Sequence, residues 1–140
     1  MASAMIVRMI AFYNTIVFTN DLPRSVAFYR DVLGQEVLED HGTIVFLANH
    51  LVLHDAASIT ATVTGAADAR SHEPQGRGNL LVYFETDDVE GAYETVAGSG
   101  ATIVHPVVRQ EWGQSVFRFL DPDGHLVEIG EPLHLTFDAT

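Results

Sequence analysis

The sequence predicts an α+β fold: a single domain, residues 1–140, built from two βαβββ modules over 12–55 and 79–132. Three observations carry this. Runs rich in β-branched and aromatic residues occur twice, over 12–19 and 80–86, and an aspartate-headed amphipathic stretch follows each. The spacing between the halves is nearly constant: Asp21 matches Asp88 at an offset of 67, Leu22 matches Val89, and Gly34 matches Gly100 at 66. The last two strand-like pieces are joined by Asp121-Pro122-Asp123-Gly124, a tight-turn sequence in which Pro presets φ and Gly accepts positive φ.

In chain order, FYNTIVFT is the first strand. Asp21 then caps a helix with Pro23 in its opening turn; Leu22, Val26, Tyr29, Val32 and Leu33 form its apolar stripe and Gly34 ends it. Three short strands follow, QEVLED, TIVFLA and LVLHD, separated by the turn formers His41-Gly42 and Asn49-His50. Residues 56–78 are small and polar without a sustained period, and are read as the linker. The second half repeats the order with LLVYFET and a helix capped by Asp87 or Asp88, whose stripe is Val89, Ala92, Tyr93 and Val96. The strands ATIVHPV, QSVFRFL and HLVEI complete it. One such unit is too small to bury both its helix and its sheet, so the two halves are expected to pack together.

Composition narrows the chemistry. With 47% apolar and 19% charged residues the chain can bury a real core. It has no cysteine and no lysine; its seven basic residues are all arginine. That removes thiol nucleophiles, thiolate-bound metals, Schiff bases and a P-loop lysine. No GxSxG, GxGxxG or Walker sequence occurs. Nineteen acids against seven arginines give a formal charge of -12, which repels nucleic acid and anionic lipid and attracts a cationic small molecule. No apolar run approaches the ~20 residues of a spanning helix, and no basic segment precedes an apolar one at the start. The expectation is a cytoplasmic protein with no membrane and no nucleic-acid partner.

The segments NDLPRSVAFYRDVLG, TDDVEGAYETVAGSGATIVHP and WGQSVFRFLDPDGHLVEIGE resemble the glyoxalase, bleomycin-resistance and extradiol-dioxygenase superfamily, the vicinal oxygen chelate proteins. The resemblance runs from about Phe12 to Pro132. It implies two modules forming a curved, cup-like sheet, a homodimer, and a divalent metal held near the start of the first strand and on the last strand of each module. Those positions fall on Asn14, Leu81, His54 and Glu128, where the family has His, Gln or Glu. Leu81 is no donor and Asn14 a weak one. The resemblance therefore leaves two states: a metal-free pocket, or one zinc, nickel, iron or manganese ion on His54, Glu128 and Asn14. In the first, the protein binds or sequesters a small cationic or aromatic compound. In the second it is a lyase or isomerase of the glyoxalase kind, with His54 and Glu128 as catalytic residues. Extradiol cleavage and thiol transfer to fosfomycin need a full ligand set and are disfavoured.

Strand parity places the same residues without the family. In LVLHD, Val52 and His54 share a face; in HLVEI, Leu126 and Glu128 do; in the first strand, Asn14, Ile16 and Phe18 do. Leu81 shares its face with Tyr83 and Glu85. Arg118 alternates with Phe117 and Phe119, so it points cupward if those two are core, either to bind a carboxylate or to pair with Glu128. Phe18 and Tyr83 are candidate walls. Trp112, before the seventh strand, either lips the pocket and stacks on a ligand or packs at an edge.

Overall fold

The computed structural model describes residues 9–66 and 69–134. Both modules are there. The first contains β1 (Thr15–Thr19), α1 (Leu22–Ala27), β2 (Val37–Asp40), β3 (Ile44–Leu47) and β4 (Leu51–Asp55). A helix α2 (Ala56–Thr64) follows, then β5 (Leu81–Glu85), α3 (Val89–Gly98), β6 (Thr102–Arg109), β7 (Ser115–Leu120) and β8 (Leu126–Gly130). Each module makes its own four-stranded sheet, in the orders β1-β4-β3-β2 and β5-β8-β7-β6. In each the first and last strands pair in parallel and the others are antiparallel.

Local sequence explains the helix ends. The Asp21 carboxylate accepts from the Arg24 N–H and that of Asp88 from the Gly91 N–H, so each module opens its helix with the same cap. Beyond Ala27 the first helix runs on as a π-helical turn (Phe28–Val32), closed by the Leu33 N–H on the Phe28 carbonyl at 3.1 Å. The wider turn lets consecutive residues both face inward. Phe28 packs against the cores of both modules while the neighbouring Tyr29 is fully buried.

The linker over 56–78 contains a helix that the sequence reading did not include. Asp55, the last residue of β4, caps α2 by accepting from the Ser58 N–H, and Gly65 ends it at φ 84°. Only Ala56 of that helix is buried, so its sequence has no apolar period to reveal it. Further along, Gly76 donates its N–H to the Asp123 carbonyl at 2.9 Å. A Cβ at Gly76 would lie 1.9 Å from the Gly124 carbonyl oxygen, so only glycine permits this approach.

Two apolar clusters form the core. Val17, Leu22, Val26, Val45, Leu47, Leu51 and Leu53 make the first; Val89, Val96, Phe117, Phe119, Val127 and Ile129 make the second. Phe28, Leu33, Val82 and Phe84 pack on both, so the modules share one interior. The Asp121–Gly124 turn seals this seam with polar contacts. Asp123, fully buried, accepts from the hydroxyls of Thr19 and Ser25 and from the Asn20 backbone N–H, and pairs with Arg24 at 3.3 Å. Asp121 accepts from the Tyr29 hydroxyl at 2.7 Å and from the backbone N–H groups of Asp123 and His125. The turn that sequence chemistry predicts is also the part of the second module that docks on the first.

Candidate functional site

In both sheets the helix-side face is core, and the opposite face is open along the edge strands β1 and β5. Val17 and Thr19 are buried on the core side of β1 while Ile16 is 44% exposed on the other. Phe117 and Phe119 are fully buried, which directs Arg118 to the open face as parity requires. Leu81, Tyr83 and Glu85 line the open side of β5.

One register row crosses the whole second sheet. Tyr83 pairs with Glu128, Glu128 with Arg118, and Arg118 with His105. Arg118 Nε donates to Glu128 Oε1 at 2.6 Å, and Glu128 is only 6% exposed. Arg118 Nη1 lies 3.1 Å from His105 Nε2. A guanidinium can only donate, so His105 accepts there through an unprotonated Nε2. Its Nδ1, 2.8 Å from the Pro106 carbonyl, carries the proton.

A second chain of bonds starts at Trp112. Its indole N–H donates to Gln114 Oε1 at 2.9 Å, and Gln114 Nε2 donates to the Tyr83 oxygen at 2.7 Å and to the Glu131 carbonyl at 2.7 Å. The Tyr83 hydroxyl donates to Glu85 Oε2 at 2.7 Å. Partial burial and the Glu85 carboxylate push the Tyr83 phenol up to about 12, so it keeps its proton at neutral pH. Gln114 is buried, and its amide occupies the space above Gly130, where a Cβ would sit 2.6 Å from Nε2. The sequence reading did not single out Gln114; its place directly after Trp112-Gly113 was the one signal the sequence offered.

A cleft of about 480 Å³ runs along β5, with Leu81, Tyr83 and Glu85 on one side and Thr15, Asn49 and His50 on the other. Its volume suits a small molecule. Asn49 and His50 both hold positive φ, 65° and 67°, an uncommon state for two successive non-glycine residues. His50, which sequence assigned to a turn, is in that turn and also lines the cleft.

The other sequence-predicted residues lie elsewhere. His54 is on β4 of the first sheet, opposite Phe18 and Ile44, with Nδ1 2.9 Å from the Asp55 carbonyl. Its hydrogen bond goes to that carbonyl and not to Glu128, whose partner is Arg118. Asn14 immediately precedes β1 and is half-buried. Strand pairing also shows that His54 and Glu128 are not equivalent. With first strands offset by 67, Ile16 matches Tyr83 and Phe18 matches Glu85; Val52 then stands where Glu128 does, and His54 where Gly130 does.

This donor set does not fit a metal within one chain. Arg118 already supplies the cation against Glu128, Leu81 has no donor atom, and His54 is on the other sheet. Among the described residues no three His, Cys, Asp or Glu side chains converge.

Comparison with known proteins agrees with the architecture. The model of the glyoxalase-like domain matches residues 12–134. The lactoylglutathione lyase of Haemophilus influenzae is 30% identical over 125 residues, covering 84% of this chain and 90% of the lyase. A crystal structure of a protein of unknown function from Agrobacterium tumefaciens superposes with a TM-score of 0.84 at 41% identity, covering 92% of this chain and 99% of that one. A glyoxalase/bleomycin resistance protein/dioxygenase from Nocardioides gives 0.69 at 26% identity, covering 94% and 89%.

Proposed function

The chain belongs to the glyoxalase-like family, and from that premise we propose that it binds or sequesters a small aromatic or cationic compound without a metal. The observation that carries this reading is the Arg118–Glu128 pair. The carboxylate that would hold a metal is neutralised by a guanidinium from the next strand, while Tyr83, Glu85 and Leu81 line a cleft of ligand size. Ile16 and Leu81 are apolar side chains exposed on the open faces, which supports a homodimer as the working form. No helix among the described residues is long and apolar enough to cross a membrane.

A thermal-shift screen of aromatic and cationic compounds, antibiotics included, with and without chelator, tests the reading. The expected result is a raised melting temperature that chelator leaves unchanged, because a ligand bound only to the native state stabilises it. Stoichiometric tightly held metal, with a melt lowered by chelator, would overturn it.

That outcome would favour the second reading, a divalent-metal-dependent lyase or isomerase using His54 and Glu128. The identity to lactoylglutathione lyase supports it. It requires Arg118 to release Glu128.

A further inference from the structure

The hydrogen bonds at Trp112, Gln114, Tyr83 and Glu85 have one direction. Indole N–H can only donate and a carboxylate can only accept, so the two ends of the relay set the sense of every bond between them. Trp112 gives its single N–H to Gln114. Gln114 spends both amide protons, on Tyr83 and on the Glu131 carbonyl. Tyr83 gives its only proton to Glu85 Oε2, which also receives the Leu133 N–H at 3.2 Å.

Every side-chain proton of the relay is therefore used, and what remains is lone pairs: one on the Tyr83 oxygen and those of Glu85 Oε1, which has no partner among the described residues. No cation among the described residues pairs with Glu85, whereas Glu128 has Arg118. Arg109 reaches toward Gly113 and acts on Glu131. The Ser115 backbone N–H holds the Glu131 carboxyl below the usual range, so a second negative charge persists beside the relay. Trp112 is pinned at its nitrogen and 59% exposed, leaving the ring available for contact.

Resting on the binding reading above and sharpening it, we infer that this corner selects guests that bring N–H donors. The class is a protonated amine, amidinium or guanidinium on an aromatic body: the donors meet Glu85 and Tyr83, and the aromatic body meets Trp112. An anion finds no free side-chain donor in the relay. A quaternary ammonium keeps the charge and the ring contact and loses the hydrogen bonds.

The chain has one tryptophan, so its fluorescence reads Trp112 directly. Benzamidinium, benzyltrimethylammonium, benzyl alcohol and benzoate are titrated into the intact protein. Benzamidinium is expected to change Trp112 emission saturably and to bind about tenfold tighter than benzyltrimethylammonium, as charge-assisted hydrogen bonds imply. Benzoate is expected to leave the emission unchanged. Glu85→Gln, at an exposed position, weakens benzamidinium about tenfold with an unaltered melt. Equal affinity for the two cations, an unaffected Glu85→Gln, or benzamidinium silent at Trp112 up to millimolar concentration would each overturn the donor rule. The compound screen above ranks guests without regard to charge, so a pocket that takes other compounds would survive that failure.

Discussion

The two modules share one fold and carry different chemistry on matching strands. On the open face of the first sheet, His54 stands among Phe18 and Ile44, with Val52 and Phe46 one step along. On the second sheet, the row Tyr83, Glu128, Arg118, His105 is polar from edge to edge. The turns before their last strands differ too: Asn49-His50 lines a cleft, whereas Asp121 and Asp123 are buried in the seam. Duplication sets where side chains point, and each copy is then free to fill those directions differently. The second module holds a buried carboxylate because it also holds the arginine that neutralises it.

The strongest way to break this contrast is to give the first module the acid of the second without its partner. Val52→Glu places a carboxylate at a position 1% exposed with no arginine beside it in the register. The expected cost is about 4 kcal/mol in urea unfolding; a near-neutral variant would mean that the first sheet tolerates charge as the second does. The reverse change, Arg118→Met, strands Glu128 and should cost about 2–3 kcal/mol, with most of it recovered in Arg118→Met/Glu128→Gln.

The seam gives a pH signature. Burial raises the Asp121 carboxyl above its ordinary value. A group whose folded value is raised contributes stability that is complete below the unfolded aspartate value, about 3.9, and is lost as pH rises through the folded one. Asp121→Asn keeps an oxygen for the backbone N–H groups of Asp123 and His125 and removes that loss. Melts of the variant should therefore improve relative to wild type as pH rises from about 4 to 7; a constant difference would show that Asp121 does not titrate in the seam.

The smallest effect is expected at His54. Among the described residues its side chain hydrogen-bonds only the adjacent Asp55 carbonyl, so His54→Ala should cost about 1 kcal/mol or less. A large loss that disappears when wild type is treated with chelator would tie His54 to a metal and move the first module into the site.

Much of the architecture was legible. The caps Asp21 and Asp88, the strand runs and the DPDG turn are local, and each formed where its residues required. The two faces of β5 followed from alternation alone, whereas both faces of β4 and β8 are largely buried. α2 was missed because a helix with one buried residue has no apolar stripe. In the site, Tyr83, Glu85 and Leu81 came together along the cleft, with Trp112 linked to Tyr83 and Glu85 through Gln114, while His54 and Glu128 did not meet. The equivalence assumed between those last two rested on both lying in a final strand. Two residues of register separate them, and register depends on which backbone atoms pair.

By itself, the sequence determined the repeat, the order of elements within each module, the direction of each strand's side chains, the net charge and the exclusion of thiol and lysine chemistry. These follow from covalent geometry, local periodicity and charge, which need no distant partner. Only the tertiary structure decided that Arg118 neutralises Glu128, that Gln114 joins Trp112 to Tyr83, and that Asp123 reaches Thr19 and Ser25 across the seam. A buried polar atom must find a partner wherever packing brings one, and that partner lies ten, thirty-one or about a hundred residues away in these cases.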